Sequence, residues 1–537
     1  MNIRRFSRLL RSGAGLPRYL RRTITAAEAQ RRIQWRMEQR EELFLDSAQR
    51  LIYNDPKSPY GKLLRWAKIE FADLEIAVRM HGLESALGRL RDEGVYLSLA
   101  EFRCSQPIVR PGLTIEPSSW EESSSAREGG IWGRGSGTTS AGAGASYGWT
   151  FLEEEAAEEL LLHEQHGLSD TPLALWMPAP PGIAGLHNLL LHLKAGRWLD
   201  EWFSHTQMPA GRDSLTTRLA LTSLQGIGRL SGVRAPKPQH IPHGRAVEIA
   251  RWMARRGPSP PDLPLLNRLP LLKTYASSAV RVASAALEER IDLHGGVVFT
   301  GGEPLTKRRR RYIESCGLAV HPRYVTTESG LVGGACGRVL PGAPDTMHVY
   351  QDRIALIEGK TRGRIHGRDL RDLLFTSLSI HTPSVLLNTE LGDCGVLDRL
   401  PCDCLFGRLG MDTLLSHVSS PEKLTTEGMN LPIDQIRLAV DHLVEQTGGS
   451  PDDYQFWKTH DERGVQSLAI VVSPALGEID ENTFVGQILE YMERLDGSAP
   501  LAGRLWREAD TVQVVRAFPR ATKGHKILPV IDDPRTQ

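Results

Sequence analysis

From Ala26 to Glu93 apolar residues return at three- and four-residue spacing, as in Leu74, Ile76, Ala77, Met80 and Leu83, and this predicts a run of helices. Between Glu121 and Ser146 apolar residues nearly vanish and Ser, Gly and Thr take over, the texture of a linker or of a loop shaped for a ligand. Helical and extended patterns then alternate. Glu153–Gln165 reads as an acidic-to-apolar helix, Leu173–Met177 as a short apolar run before the turn Pro178–Gly182, and Ser277–Glu289 as an amphipathic helix. Gly296–Thr300 is a compact strand that stops at Gly301-Gly302-Glu303-Pro304, and an Arg-rich helix, Lys307–Ser315, follows. Such alternation predicts an α/β fold with much parallel sheet.

Past Ser419 the pattern shortens. Ile433–Gln446 reads as a helix, Gln466–Ser473 as a strand, Asn482–Leu495 as a helix and Thr511–Ala517 as a strand. The expected organisation is a basic N-terminal arm over residues 1–25, a large domain with mixed sheets over 26–418, and a small mobile α+β domain over 419–537. The hinge is placed near Val418–Glu422. A chain of 537 residues exceeds what one core usually supports, which agrees with this division.

Composition narrows the class of partner. With 40% hydrophobic and 24% charged residues and a net charge of +1, nothing calls for nucleic acid or a membrane as the main partner. No run of about 18 apolar residues exists to span a bilayer, and the apolar stretch of a secretory signal is missing near the start. Residues 1–22 carry seven arginines and no acid, which fits either an anchoring arm or a solvated terminus. Six cysteines in so long a chain argue against a disulfide scaffold, and the expected address is the cytoplasm. The oligomeric state is left open.

Five short segments could carry chemistry. In Gly135–Gly142, glycines would let backbone amides approach a polyphosphate and the hydroxyls of Ser136, Thr138 and Thr139 would add donors, although a bland flexible loop has the same composition. Gly301–Thr306 follows a strand, where ligands of α/β sheets sit; an ordinary strand-to-helix turn with Thr306 as its N-cap is the plain alternative. Tyr324–Glu328 places a Glu beside a Thr, a pair able to hold a divalent metal near phosphates. Asp393, after Gly392, could take both hydroxyls of a ribose. Pro519–Lys526 is a basic loop whose lysine could neutralise charge developing on a phosphoryl or acyl oxygen.

In order and spacing these segments resemble the adenylate-forming superfamily of acyl-CoA synthetases and amino-acid adenylating domains, most closely its phenylacetate–CoA ligase branch. Ser136–Gly142 resembles the family's phosphate loop, Gly302-Glu303-Pro304 its adenine-side loop, and Tyr324–Glu328 its aromatic-x-x-Thr-Glu motif. Gly392-Asp393 resembles the ribose-binding Gly-Asp, Glu427–Pro432 the opening of the small domain, and Pro519–Lys526 the C-terminal lysine loop. The resemblance covers roughly Ser136 to Asp532. It implies an AMP-forming carboxylate ligase that uses ATP and Mg²⁺. Ser136, Gly137, Thr138 and Thr139 would hold the β- and γ-phosphates, and Gly302, Glu303, Pro304 and Tyr324 would border the adenine. Thr327 would meet the α-phosphate, Glu328 the Mg²⁺, Asp393 the ribose, and Lys526 would assist attack of the carboxylate. The acyl group would pass to coenzyme A or to another thiol or amine. An amide-forming ligase and a degenerate nucleotide-binding relative without turnover are the alternatives.

The sequence departs from the family at Ser140, at Val325, at Glu427 and at the hinge, where Ser419-Ser420-Pro421-Glu422 lacks the usual arginine. Arg408 could substitute for that arginine or belong to a metal-like segment. Cys336, His348, Cys402 and Cys404 form a donor set suited to tetrahedral Zn²⁺, as in some members of the branch; the bland alternative is a scatter of buried thiols. Cys394 lies near enough to confuse that assignment, while Cys104 and Cys316 look structural. Lys307–Arg311 is expected to be a solvated helix face. His187 and His192 are expected as surface or core histidines, and Trp198, Trp202 and Phe203 as core.

Overall fold

The computed structural model describes residues 15–117, 129–133, 145–180, 182–197, 199–207, 222, 226, 235–255, 270–421, 423–426, 429–495, 499–520 and 529–533. Ser136, Gly137, Thr138, Thr139, Glu427 and Lys526 lie outside the described residues, as does Trp198.

Among the described residues one large sheet has twelve strands. In chain order they are β1 (Leu173–Trp176), β2 (Glu201–Ser204), β3 (Pro238–His240), β4 (Leu271–Tyr275), β5 (Val297–Gly301), β6 (Ala319–Thr326), β7 (Gly330–Gly334), β8 (Met347–Val349), β9 (Ile354–Ile365), β10 (Arg368–Ser377), β11 (Thr389–Arg399) and β12 (Thr413–Ser419). Their spatial order is β9-β10-β11-β12-β8-β7-β6-β5-β4-β1-β2-β3. The half from β3 to β6 is parallel, and from β6 onward each pairing is antiparallel. This is the mixed α/β architecture expected from the alternating pattern.

The parallel strands β1, β4 and β5 are buried along their whole length, so both faces need a cover. Alternate residues go to opposite covers. Leu173, Leu175, Leu271, Val297 and Phe299 pack in the core beneath helices α1 (Trp149–Gln165) and α2 (Ala184–Lys194). Ala174, Trp176, Leu272 and Val298 pack under α3 (Ala276–Glu288) and the helix Ala246–Arg255. Trp202 and Phe203 are core residues, as expected, on either side of β2. The predicted N-terminal helices form, and those between Arg40 and Asp92 close over Ala355, Ile357 and Leu374 of the antiparallel half. Within the stretch read as a basic arm, Leu16, Tyr19, Leu20 and Ile24 are buried in the main core.

The C-terminal part has a core of its own. Its strands β13 (Tyr454–His460), β14 (Gln466–Val472), β15 (Val512–Arg516) and β16 (Val530–Asp532) order as β15-β14-β13-β16. Helices Ile433–Gln446, Glu481–Arg494 and α5 (Ala499–Ala509) pack on them. The predicted helix Ile433–Gln446 matches the observed one, and the other predicted elements agree within a residue or so.

The arginine-rich helix α4 (Lys307–Glu314) corrects one expectation. Thr306 caps it, accepting from the Arg309 backbone N–H at 3.3 Å, and Lys307, Arg308 and Arg311 are exposed as expected, but Arg309 is not. Arg309 is 2% exposed. Its Nη1 donates to Glu303 at 3.0 Å and its Nε to the Gly464 carbonyl, in the turn between β13 and β14, at 2.8 Å. Arg308 donates to the Asp461 carbonyl in the same turn at 2.9 Å, and Arg463 of that turn reaches Ser284 of α3 at 2.9 Å. The helix therefore fastens the small domain to the large one. Burial of a guanidinium without a carboxylate is costly, so Glu303→Gln should lower the unfolding free energy by about 3–5 kcal/mol. It should also speed amide exchange at Gly464 and Val465. Urea unfolding and hydrogen exchange check this, and an effect within surface-substitution range would refute the buried clamp.

Candidate active site

The cleft lies beyond the carboxyl ends of β1, β4, β5 and β6, roofed by α2 and bordered by α5 of the small domain through Leu501. It is the place where α/β sheets bind ligands. Three of the segments singled out in the sequence meet here: Gly301–Leu305 after β5, Tyr324–Glu328 at the end of β6, and Asp393 on β11. The space left between the walls is about 150 Å³. That is small against the roughly 300–1,000 Å³ of small-molecule sites.

Gly302 turns the chain with φ of 73°, a conformation that suits glycine, and so aims the Glu303 carboxylate inward. Glu303 accepts from the Ser277 backbone N–H at 2.8 Å and the Ser277 hydroxyl at 2.9 Å, besides its bond to Arg309. Both oxygens are thus engaged in holding the turn against α3, and the turn's backbone and Pro304 form the wall. Tyr324 donates its hydroxyl to Asp393 Oδ2 at 2.6 Å, and Ser420 donates to Oδ1 of the same carboxylate. Burial, then the neighbouring Asp393, pushes the Tyr324 phenol well above its ordinary range. It therefore remains a donor at any physiological pH. Asp345, also in the wall, accepts from the backbone N–H groups of His417 and Val418 at 2.9 and 2.8 Å, holding the end of β12 where the chain leaves for the small domain.

The opposite wall was not anticipated. Tyr147, Met177, Ile183, Ala184, His187 and Asn188 line it, with Arg323 of β6 beneath. His187 is a buried histidine, as expected, yet it borders the cleft. Its Nε2 meets Glu155 Oε2 at 2.6 Å, and the Tyr147 ring stacks on it at 4.9 Å. Tyr147 in turn donates to the Thr327 carbonyl at 2.9 Å. Glu155 also accepts from the Leu331 N–H at 2.5 Å. This close approach depends on Gly330, at φ 68°, where a Cβ would run into the Glu155 carboxylate and the Phe151 ring.

Below this wall α1 buries Glu158 and Glu159 as well. Arg353 binds Glu158. Glu159 accepts from Lys273 of β4 at 2.5 Å, from Arg323 at 2.9 Å and from His163 at 2.9 Å. Burial alone would raise the Glu159 carboxyl, but Lys273 and Arg323 hold it well below its ordinary range. Burial and the nearby cations lower His163 to about 3, so its ring is neutral and Arg197 donates to Nδ1. Glu159, His163 and His192 have metal-like proximity, but Lys273 already donates to both Glu159 and His192. The Lys273 nitrogen occupies the place a metal would take there.

Cys336, His348, Cys402 and Cys404 converge away from the cleft, with one donor atom from each lying within 4.8 Å of the others. Cys336 and Cys402 sulfurs are 3.9 Å apart, and Cys404 Sγ lies 3.2 Å from His348 Nε2. A tetrahedron with Zn–S of about 2.3 Å and Zn–N of about 2.0 Å has edges of roughly 3.5–3.8 Å, close to these. His348 Nδ1 lies 2.8 Å from the Met411 carbonyl, which leaves Nε2 as the ligand atom. The Gln165 side chain, at the end of α1, donates to the Cys336 carbonyl and accepts from the Leu405 N–H. Cys394 bonds Ser419 instead and is outside the group. Arg408 lies in the helix Leu405–Arg408, donates to the Asp403 carbonyl at 2.6 Å, and does not line the cleft.

This fold is the adenylate-forming fold, a large mixed α/β domain followed by a small C-terminal one. Over 96% of this chain and 91% of the other, it matches 2-hydroxyisobutyryl-CoA ligase in complex with 2-HIB-AMP and CoA in the thioesterification state, at 15% identity and TM-score 0.52. The Vibrio cholerae adenylation domain AlmE in complex with glycyl-adenosine-5'-phosphate matches over 74% of this chain and 64% of its own at 10% identity and TM-score 0.41. No family model matches the sequence, and no curated protein does.

Tyr324→Phe leaves the buried Asp393 carboxylate one donor short. It should cost about 1–3 kcal/mol of stability, measurable by urea unfolding, whereas an unchanged midpoint would refute the importance of this bond.

Proposed function

We propose that the protein activates a carboxylic acid with ATP, forming an acyl-adenylate and releasing pyrophosphate, and then passes the acyl group to coenzyme A. The observation that carries this reading is the meeting of Gly301–Leu305, Tyr324–Glu328 and Asp393 in one cleft at the strand ends. In the reaction an oxygen of the substrate carboxylate bonds to the α-phosphorus as the bond from that phosphorus to the bridging oxygen of pyrophosphate breaks.

Each residue has a definite part. The Gly302–Pro304 turn and the Tyr324 ring border the adenine, with Glu303 acting through the turn it holds. Asp393, bound to Tyr324 and Ser420, meets the ribose hydroxyls. Thr327 and Glu328 face the phosphates, where Glu328 is a hard oxygen ligand suited to Mg²⁺. The metal would neutralise phosphate charge. Ser136, Gly137, Thr138 and Thr139 cradle the β- and γ-phosphates, and Lys526 stabilises charge developing at the α-phosphate. The wall with Met177, Ile183, Ala184, His187 and Asn188 receives the acid. Closeness to the phenylacetate–CoA ligase branch rests on the motifs alone, and an amine in place of coenzyme A as acceptor is the second version of the transfer step.

We further infer a structural Zn²⁺ held by Cys336, His348, Cys402 and Cys404, supported by their spacing and by the His348–Met411 bond. It would pin the residue 402–408 segment beneath α1. Free thiols and an ATP-dependent reaction suit the cytoplasm, and among the described residues no helix is long and apolar enough to cross a membrane.

Pyrophosphate release with a panel of carboxylic acids, with and without coenzyme A, tests the ligase reading; no ATP-dependent release from any acid would overturn it. Lys526→Ala should slow adenylation by roughly 10²–10³-fold, the scale of losing one transition-state donor, and an unchanged rate would show that another residue does this work. Elemental analysis should find close to one zinc per chain in the wild type and a clear loss in Cys402→Ser; less than about a tenth of an equivalent in wild type would remove the metal.

A further inference from the structure

The buried charge under the acid-binding wall is unevenly matched. Lys273 is 0% and Arg323 4% exposed. Among the described residues Glu159 is the one carboxylate in ion-pair contact with either. A single carboxylate thus faces two basic groups, and burial together with the neighbouring Arg323 pushes the Lys273 amine well below its ordinary range, as befits a group short of counter-charge. Arg323 donates Nη1 to Glu159 at 2.9 Å and Nη1 and Nη2 to Asn188 Oδ1 at 3.4 and 3.5 Å, and among the described residues its buried Nε has no partner. The Arg323 side chain lines the cleft, beside Gly301.

Two more polar groups converge on the same place. Asn188 fixes its amide by donating to the Ala184 carbonyl at 2.9 Å. His187, held by Glu155 and stacked by Tyr147, presents the rest of its ring to the cleft. An acid pocket meant for a plain hydrocarbon tail gains nothing from a buried guanidinium, an amide and an imidazole on one wall, because each must lose water when the tail enters. A buried cation short of a counter-charge is stabilised by an anion that brings one, and a guanidinium suits a carboxylate best.

Building on the adenylation reading, we propose that the substrate carries a second carboxylate, seated on Arg323 with Asn188 and His187 beside it. Dicarboxylic acids are then the preferred substrate class. One carboxylate reacts at phosphorus while the other completes the charge balance of the Glu159–Lys273–Arg323 group. Arg323 is a specificity residue in this scheme and takes no part in bond making.

The test compares glutarate, 5-hydroxypentanoate and pentanoate by calorimetry on the full chain with AMP present. A site built to bond a polar group discriminates strongly against an analogue lacking it, so glutarate should bind roughly tenfold or more tightly than either of the others. Arg323→Met should abolish the preference by weakening glutarate binding roughly tenfold. Asn188→Asp gives Arg323 a resident carboxylate without emptying the core, and should abolish the preference too, which guards against misfolding of the first variant. Equal binding of the three acids, glutarate matched by 5-hydroxypentanoate, or a preference that survives Arg323→Met would overturn the proposal. Pyrophosphate release run in parallel separates the two readings. Preference in binding without release overturns the ligase reading alone, whereas release without preference overturns this one alone.

Discussion

Glu159 is the point on which the large domain turns. One carboxylate on α1 binds Lys273 on β4, Arg323 on β6 and His163 one helical turn along. These bonds stitch the covering helix to two strands of the parallel sheet. A carboxylate so deep would be costly without partners, and any partner removed leaves a charge that water cannot reach. The neighbouring acids repeat the device, with Glu158 on Arg353 and Glu155 on His187. An apolar helix could cover the sheet as well, but it could not hold polar side chains at fixed places in the cleft wall. Charge burial here gives position more than stability.

A second buried pair joins the two domains. Arg309 links the turn before α4, through Glu303, to the Gly464 carbonyl of the small domain. Asp393 and Ser420 form a further tie at the hinge. Both ties pass through the wall of the cleft, so occupation of the cleft and the seating of the small domain act on the same few side chains. The small domain has a core of its own, built on Phe456, Ile470 and Trp506.

Much of this was legible in the sequence. Apolar runs and helical spacing placed β1, β5, α1, α3 and α4 of the parallel half, while β2, β3, β4, β6 and α2 went unread, and Gly302, Tyr324 and Asp393 carried enough local chemistry to be picked out before any contact was known. The metal-like group was visible because the chain has only six cysteines and four of them fall, with His348, in the span from Cys336 to Cys404. What escaped was the inner wall. In Glu153–Gln165 the run of acids has the look of a solvated face, because a helical period reports polarity and cannot say that Lys273 and Arg323 on strands, and Arg353 in the turn before β9, lie over a hundred residues away. Arg309 escaped for the same reason, as one of five basic residues whose partner lies in another domain. Strand Tyr454–His460 went unread since Lys458 and His460 interrupt its apolar alternation.

Strand β6 places Arg323 and Tyr324 next to each other in sequence and on opposite faces of the sheet. The first reaches Glu159 and Asn188 beneath α1 and α2, the second reaches Asp393 on the far side. A strand alternates by parity, so the odd residue serves one compartment and the even residue the other. The bulge after Tyr324 resets the count before β7. Insertion or deletion of a single residue upstream of it would exchange the two side chains between compartments, a frame error in three dimensions that no adjustment of either neighbour alone could repair.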